Sequence, residues 1–506
     1  MSPSTKKGDI ESPSGAESET DLELLGRQRP DVFSSTFTEV MFCASLLISM
    51  FMAEFFISGF NIILPSVSIS LEIPKTSQVW PASVFSLVTG AFLLPFGRIA
   101  DIYGAYWVFS IGMVWFSAWS LISGFSTNYI MLIVTRALGG FGPAAFLPTG
   151  IMLLGKLYRP GPRKNLVFAL YSAFAPIGFF LGIITGGLTI EYLSWRWYFY
   201  IGSIILFISS AVAFVTIPKD MEQTRRENAH IKMDWWGIVT IAPGLVLTTF
   251  ALTDGAHAPN GWKSPYIIVT FILGVLLLGA AVYIEGWVAE QPLLPFDLFQ
   301  PKYMVRLTVA LISEWMGQTA LITAIWFAPM AGGGIVLATI GGFTLHLLPG
   351  RLLLIISALG SLACVLLFAL MPQDANFWAW VFPAMLGSTI GIDITFIVSN
   401  VFITTNVARH RQGLAGALIN SLLFLGISFF LGISDLAVSE ETKRGGTTGH
   451  QVAFWFATAC AVVVLLLFAT IKVGKAESDL TLEERAELER QAKNQASRST
   501  VTEEKA

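Results

Sequence analysis

The chain has 506 residues, 54% hydrophobic and 13% charged, with a formal net charge of −3. A soluble domain carries roughly a quarter charged residues; here the charge collects in short gaps between long, almost uncharged stretches. That excludes a string of soluble domains and a basic nucleic-acid-binding surface. It leaves a chain that crosses a bilayer repeatedly, since about 20 apolar residues span a hydrocarbon core of roughly 30 Å.

In chain order, residues 1–39 are rich in Ser, Glu and Pro and read as a disordered cytosolic tail. Apolar runs at 40–64, 79–97, 106–125, 129–155, 165–187 and 197–217 then predict six spans. After a polar gap, 235–253, 266–288, 307–328, 332–348, 352–371, 377–404, 412–434 and 451–471 predict eight more, fourteen in all. Segments of alternating polarity, the mark of a membrane β-barrel, do not occur, and unpaired backbone is not tolerated in lipid, so the fold class is all-α polytopic. The tail 472–506 is charged, with Thr481 three residues before Glu484 in a capping-box spacing.

The basic residues set the expected orientation. Lys156, Arg159, Arg163 and Lys164 fill the fourth gap, Lys219, Arg225, Arg226 and Lys232 the sixth, and Arg409 and Arg411 the twelfth. Basic loops stay cytosolic, so both termini are expected inside and 435–450 outside. Cys43, Cys364 and Cys460 all fall within apolar runs and make neither a disulfide framework nor a metal site. GIMLLGKL, from Gly150, has P-loop spacing but puts Leu157 where the Mg²⁺-binding hydroxyl belongs. No enzyme motif and no cofactor site is expected.

Three stretches place polar or small residues where an apolar span has no structural need of them. GRIADIYGAYW sets Gly97, Arg98, Asp101 and Gly104 in the second gap. The two glycines permit a tight turn, and Asp101 can cap a neighbouring helix N-terminus or pair with Arg98, latching the cytosolic side. LIVTRALGGFGPAAF carries Arg136 inside the fourth span, and APIGFFLGIITGGL sets Gly178, Gly182, Gly186 and Gly187 along one face of the fifth. Small residues at that spacing let helix backbones approach closely. In this order the three resemble the loop, arginine and antiporter-glycine motifs of the major facilitator superfamily, with Ile102, Ala105 and Tyr106 replacing three of the usual bases and Ile183 the usual proline. The wider stretch YRPGPRKNLVFALYSAFAPIGFFLG resembles the fungal fourteen-helix drug:H⁺ antiporters, the group with aminotriazole-resistance, boron and low-affinity ammonium transporters.

The resemblance implies two six-helix bundles, 40–217 and 307–471, with a cytosolic loop 218–234 and a linker helix pair 235–288 between them. It also implies a monomer in the lipid bilayer that exchanges a small-molecule substrate for protons. Compared with the family, about twenty residues are missing near Ser313–Gly317, which shortens the ninth and tenth spans.

Ionisable groups inside spans are functional candidates, because charge there is costly. Glu54, Arg136, Glu314 and Asp393 are the proton-coupling candidates, with Glu54 and Arg136 at comparable depth by residue count. Asn61, Phe174, Phe179 and Trp115, with Trp80 and Trp119, are candidates to shape a substrate cavity. Three readings follow: proton-coupled export of a small organic compound, uptake of a small polar solute such as ammonium, or a truncated, transport-inactive variant. An even number of crossings puts Asn228 inside and Gly445 outside. A membrane-impermeant thiol reagent on intact cells is therefore expected to label Gly445→Cys and not Asn228→Cys; labelling of position 445 only after permeabilisation would make the crossing number odd.

Overall fold

The computed structural model describes residues 24–74, 77, 78, 80–219, 232–255, 258, 261–293, 347–372, 375–407, 411, 413–422, 449–471 and 473, with isolated positions at 306, 307, 333, 334, 336, 337, 424 and 426. The first eight helices follow the expected spans closely. They are α1 (Thr36–Ser70), α2 (Trp80–Tyr103), α3 (Ala105–Gly124), α4 (Tyr129–Leu157), α5 (Pro162–Tyr192), α6 (Trp195–Thr216), α7 (Trp235–Asp254) and α8 (Pro265–Tyr283), the last continuing as a π-turn through Ile284–Val288. Then come α9 (Gly350–Leu370), α10 (Phe382–Asn406, entered through a π-turn at Phe377–Val381), α11 (Gly413–Leu422) and α12 (Gly449–Thr470), which match the predicted eleventh to fourteenth spans.

Among the described residues eleven helices are long and apolar enough to cross a membrane. The fourteen expected spans reduce to that number for two reasons. The ninth and tenth, with Glu314, lie almost wholly outside the described residues, and α11 is described over too few residues to count. The loop 435–448 and the charged tail also lie outside them.

Local chemistry fixes where the helices begin. Ser35, Asn128 and Asp234 each accept a hydrogen bond from a first-turn N–H, at Thr38, Met131 and Gly237 respectively, satisfying donors that a helix start leaves open. The helices overrun the apolar runs because helical backbone can continue past the hydrocarbon: α1 has 35 residues, about 52 Å at 1.5 Å each, and passes straight through Pro65.

α1 packs along α5 and α6, α3 lies between α4 and α6, and α2 rests on α4. In the second half α9 packs on α10 and α12, and α10 crosses to α5 and α4. α7 and α8 form a pair of their own, fastened to α2 at both ends. At one end the Trp80 indole N–H donates to Asp254 Oδ1 (3.0 Å) and its ring stacks on Phe250. At the other, Arg98 donates to the carbonyls of Lys232 (3.1 Å) and Gln291 (3.3 Å).

The α1–α5 contact depends on missing side chains. A Cβ on Gly182 would sit 2.5 Å from the Phe55 carbonyl, and one on Gly186 2.8 Å from that of Gly59; Gly178 lies equally tight against the Phe51 backbone. Ser58 Oγ closes the seam by donating to the Phe179 carbonyl at 2.7 Å. Gly187, expected on this face, is not part of it: nothing lies within 4 Å of where its Cβ would be. A residue directly after Gly186 is turned 100° away around the helix, so only the four-residue series meets α1.

Gly182→Ala should therefore overpack a backbone contact and cost about 1–3 kcal/mol, whereas Gly187→Ala should be neutral or slightly stabilising. Thermal unfolding of the two variants in detergent measures the difference, and equal midpoints would refute the packing assignment.

Candidate functional site

The motif GRIADIYGAYW does not form a loop. α2 runs on through Tyr103, and the whole connection to α3 is Gly104, at φ 92°, a value that favours glycine. Gly97 has a different role from the expected turn. It lies inside α2, where a Cβ would come within 2.8 Å of the Gly413 carbonyl and collide with Ala417. Here α2 and α11 touch backbone to backbone, and Asp101, one turn on, reaches the start of α11. Its Oδ1 accepts from the Gly413 N–H and its Oδ2 from the Leu414 N–H, both at 2.9 Å. The helix start expected as a partner of Asp101 is one that it meets. Arg98 donates to the Lys232 carbonyl and to Gln291, while its charge stays close enough to Asp101 to interact with it electrostatically, as residues three apart on a helix do.

Arg136 and Glu54 do not pair. The Arg136 Nε donates to the Pro81 carbonyl at 2.5 Å, and its guanidinium lies over the Phe60 ring, 3.6 Å from the centroid. Phe60 is six residues beyond Glu54, about 9 Å along α1. Residue counting put the two backbones at similar depth. The long arginine side chain then reaches away from the carboxylate toward a carbonyl and two aromatic faces, Phe60 and Phe85.

Glu54 is nonetheless buried inside the bundle, and its Oε1 has no hydrogen-bond partner among the described residues. Asp393 in α10 repeats this: it is 2% exposed, and its Oδ2 has no partner among the described residues. A Cβ on Gly334 would lie 3.1 Å from that oxygen and 2.8 Å from the Pro176 ring of α5, so Asp393 faces the junction between the halves.

The cavity candidates divide. Phe179 packs with Ile62, Phe180 and Ile183 against Phe368, Phe377, Val381 and Met385, an apolar plug between the halves on the predicted outer side. Phe174 packs against the main core, and Asn61 is half-buried in α1. Trp115 does not line a cavity. It is 40% exposed on a face of α3 shared with Trp107, Ile111, Val114, Leu121 and Ile122, with its indole N–H on the Leu138 carbonyl. Such a continuous apolar face meets lipid. Trp80 likewise belongs to the α7–α8 attachment.

Sequence reasoning missed the partner of Asp101. A signal existed: Gly413, Gly416 and Ala417 form a small-residue face at the start of α11, and a Cβ on Gly416 would sit 2.6 Å from the Pro148 carbonyl of α4.

A close α2–α11 crossing capped by a carboxylate thus joins two groups of apolar helices, each with a buried acid. The family model described as Major Facilitator Superfamily matches residues 46–431. The chain belongs to that superfamily. It is 30% identical to the low affinity ammonium transporter of Saccharomyces cerevisiae over 414 residues, 77% of this chain and 80% of that one. It is 28% identical to the efflux pump terJ of Aspergillus terreus over 88% of this chain and 90% of that one. Its identity with the S. cerevisiae aminotriazole resistance protein is 30%, over 83% of this chain and 80% of that one. The proton:xylose symporter XylE shares the fold with a TM-score of 0.59 at 12% identity, covering 88% of this chain and 99% of that chain. The chain is thus a multi-pass membrane transporter.

The Asp101 bonds are charge-assisted, worth about 1.5–3 kcal/mol. In an Ile151→Cys background, where the thiol is buried against Gly416, Asp101→Ala should raise the rate of thiol labelling by roughly tenfold or more, with Asp101→Asn in between. An unchanged rate would show that this contact does not hold the halves together.

Proposed function

We propose that the protein is a proton-coupled exporter of a small organic compound, with Glu54 and Asp393 as the proton-carrying groups and Asp101 as the latch that closes the cytosolic side. The observation that carries this reading is one buried carboxyl group in each half whose free oxygen has no partner among the described residues. Protonated, such a group is a neutral donor that a closed bundle can hold. Ionised, it must face water or a cation, because a bare charge in an apolar interior costs many kcal/mol. A bundle that opens alternately to each side supplies those two settings in turn. Arg136 serves as an anchor between α4, α1 and the start of α2, since its charge is already matched to a carbonyl and to aromatic rings.

Export is favoured by similarity to an efflux pump and a resistance protein; uptake of a small polar solute is the second reading, supported by similarity to an ammonium transporter. Both termini cytosolic is the orientation that fits the basic gaps, with the cell membrane as the leading placement and the vacuolar membrane as the alternative.

Cells expressing the protein should accumulate less aminotriazole than cells without it, and an uncoupler should remove the difference. Glu54→Gln and Asp393→Asn should each abolish uphill movement while leaving exchange down a gradient. Accumulation that ignores the uncoupler, or full uphill transport by both variants, would overturn proton coupling through these groups.

A further inference from the structure

Between the Asp101 latch and the apolar plug lies a layer of polar groups that the proton-carrying acids do not use. Asn400 of α10 donates its Nδ2 to the Phe396 carbonyl at 2.8 Å, and Asn420 of α11 donates its Nδ2 to the Gly416 carbonyl at 3.0 Å. A main-chain carbonyl can only accept, so the nitrogen of each amide must face it, and the oxygen is what remains. Both Oδ1 atoms are buried without a hydrogen-bond partner among the described residues, as are the Tyr171 hydroxyl of α5 and the hydroxyls of Ser399 and Ser421. Some buried serines, such as Ser45 and Ser49, turn back onto their own helix carbonyls at 2.7 Å; these two do not, and neither do Ser110, Ser126 and Ser209 elsewhere among the described residues.

The groups share one level. The Tyr171 ring stacks on Phe396, with centroids 6.5 Å apart, and Asn400 is bonded to the Phe396 carbonyl. The Tyr171 hydroxyl lies against Gly150, where a Cβ would be 3.4 Å away, while Gly416, one turn before Asn420, lies against Pro148 and Ile151 of the same helix. Counted from the ends of α10, α11, α5 and α4 at the latch side, Asn400, Asn420, Tyr171 and Gly150 are all about 9–14 Å deep.

An orphaned buried acceptor costs about 1–3 kcal/mol. Three such atoms at one level, on Asn400, Asn420 and Tyr171, where four helices from both halves meet, are more than helix packing requires. We propose that this layer is the solute's hydrogen-bonding subsite, and that it accepts a compact group rich in N–H donors, a primary alkylammonium or ammonium ion. The two amide oxygens can only accept and the Tyr171 hydroxyl can turn to accept, so a donor-rich head is satisfied there. An anion would meet two acceptors it cannot bond. The inference deepens the transport reading by naming the solute class that the same passage takes.

The test uses the purified full-length protein in detergent, with thermal unfolding followed by tryptophan fluorescence. Methylammonium chloride should raise the midpoint saturably, and tetramethylammonium chloride, equal in charge but without N–H donors, should not. Asn400→Leu and Asn420→Leu should keep a folded protein of near-isosteric packing and weaken the methylammonium response at least about tenfold, whereas Asn420→Asp, which keeps the acceptor, should retain it. An equal response to both cations, or an undiminished response in both leucine variants, overturns the subsite. Methylammonium binding without uncoupler-sensitive export would leave the subsite standing and remove the export reading. Uncoupler-sensitive export with no saturable methylammonium response would overturn the subsite alone.

Discussion

The structure is organised around one carboxylate that crosses from one half of the chain to the other. Asp101 caps α11 with both oxygens, and it can do so only because Gly97 and Gly413 let α2 and α11 approach backbone to backbone. The two features require each other. Without the close approach, an aspartate is too short to reach two main-chain N–H groups on another helix. Without the cap, the buried start of α11 would leave donors open at the point where the halves meet.

The rest follows the same logic of contacts that can form or break without loss inside either half. Within the first half α1 and α5 are joined by glycine-to-backbone contacts that have one geometry and no slack. Between the halves a close glycine approach of α2 and α11 is joined by an electrostatic cap at one end, with an apolar plug of Phe179, Ile183, Val381 and Met385 at the other. Solvent can take over the cap's hydrogen bonds when α2 and α11 part. Rigid halves with exchangeable end contacts are what an alternating opening demands.

Much of this was legible in the sequence, because span length and small-residue spacing are properties of the chain itself. The α1–α5 seam follows from Gly178, Gly182 and Gly186, and the helix-capping role of Asp101 from its place between apolar runs. What was not legible depends on three dimensions. Gly97 reads as a turn residue until the continuation of α2 makes it a contact residue. Arg98 lies near Asp101 as the spacing suggests, but the carbonyls that its guanidinium donates to, on Lys232 and Gln291, come from a distant segment. Arg136 and Glu54 match in backbone depth, but depth says nothing about where a long side chain reaches. Trp115 is indistinguishable by type from a cavity tryptophan, and only the companions on its helix face show that it looks outward.

The attachment of α7 and α8 to α2 has a mechanical consequence. Trp80 holds the pair near one membrane surface and Arg98 near the other, on the same helix that carries the latch. When α2 tilts, the pair tilts with it, as an outrigger whose other flank, lined by Val269, Ile272, Leu276 and Val282, is apolar and exposed. Lipid along that flank must reorder each time, at a cost that grows with the mismatch between helix length and hydrocarbon thickness. That apolar flank ties the length of α7 and α8 to the hydrocarbon thickness that covers it.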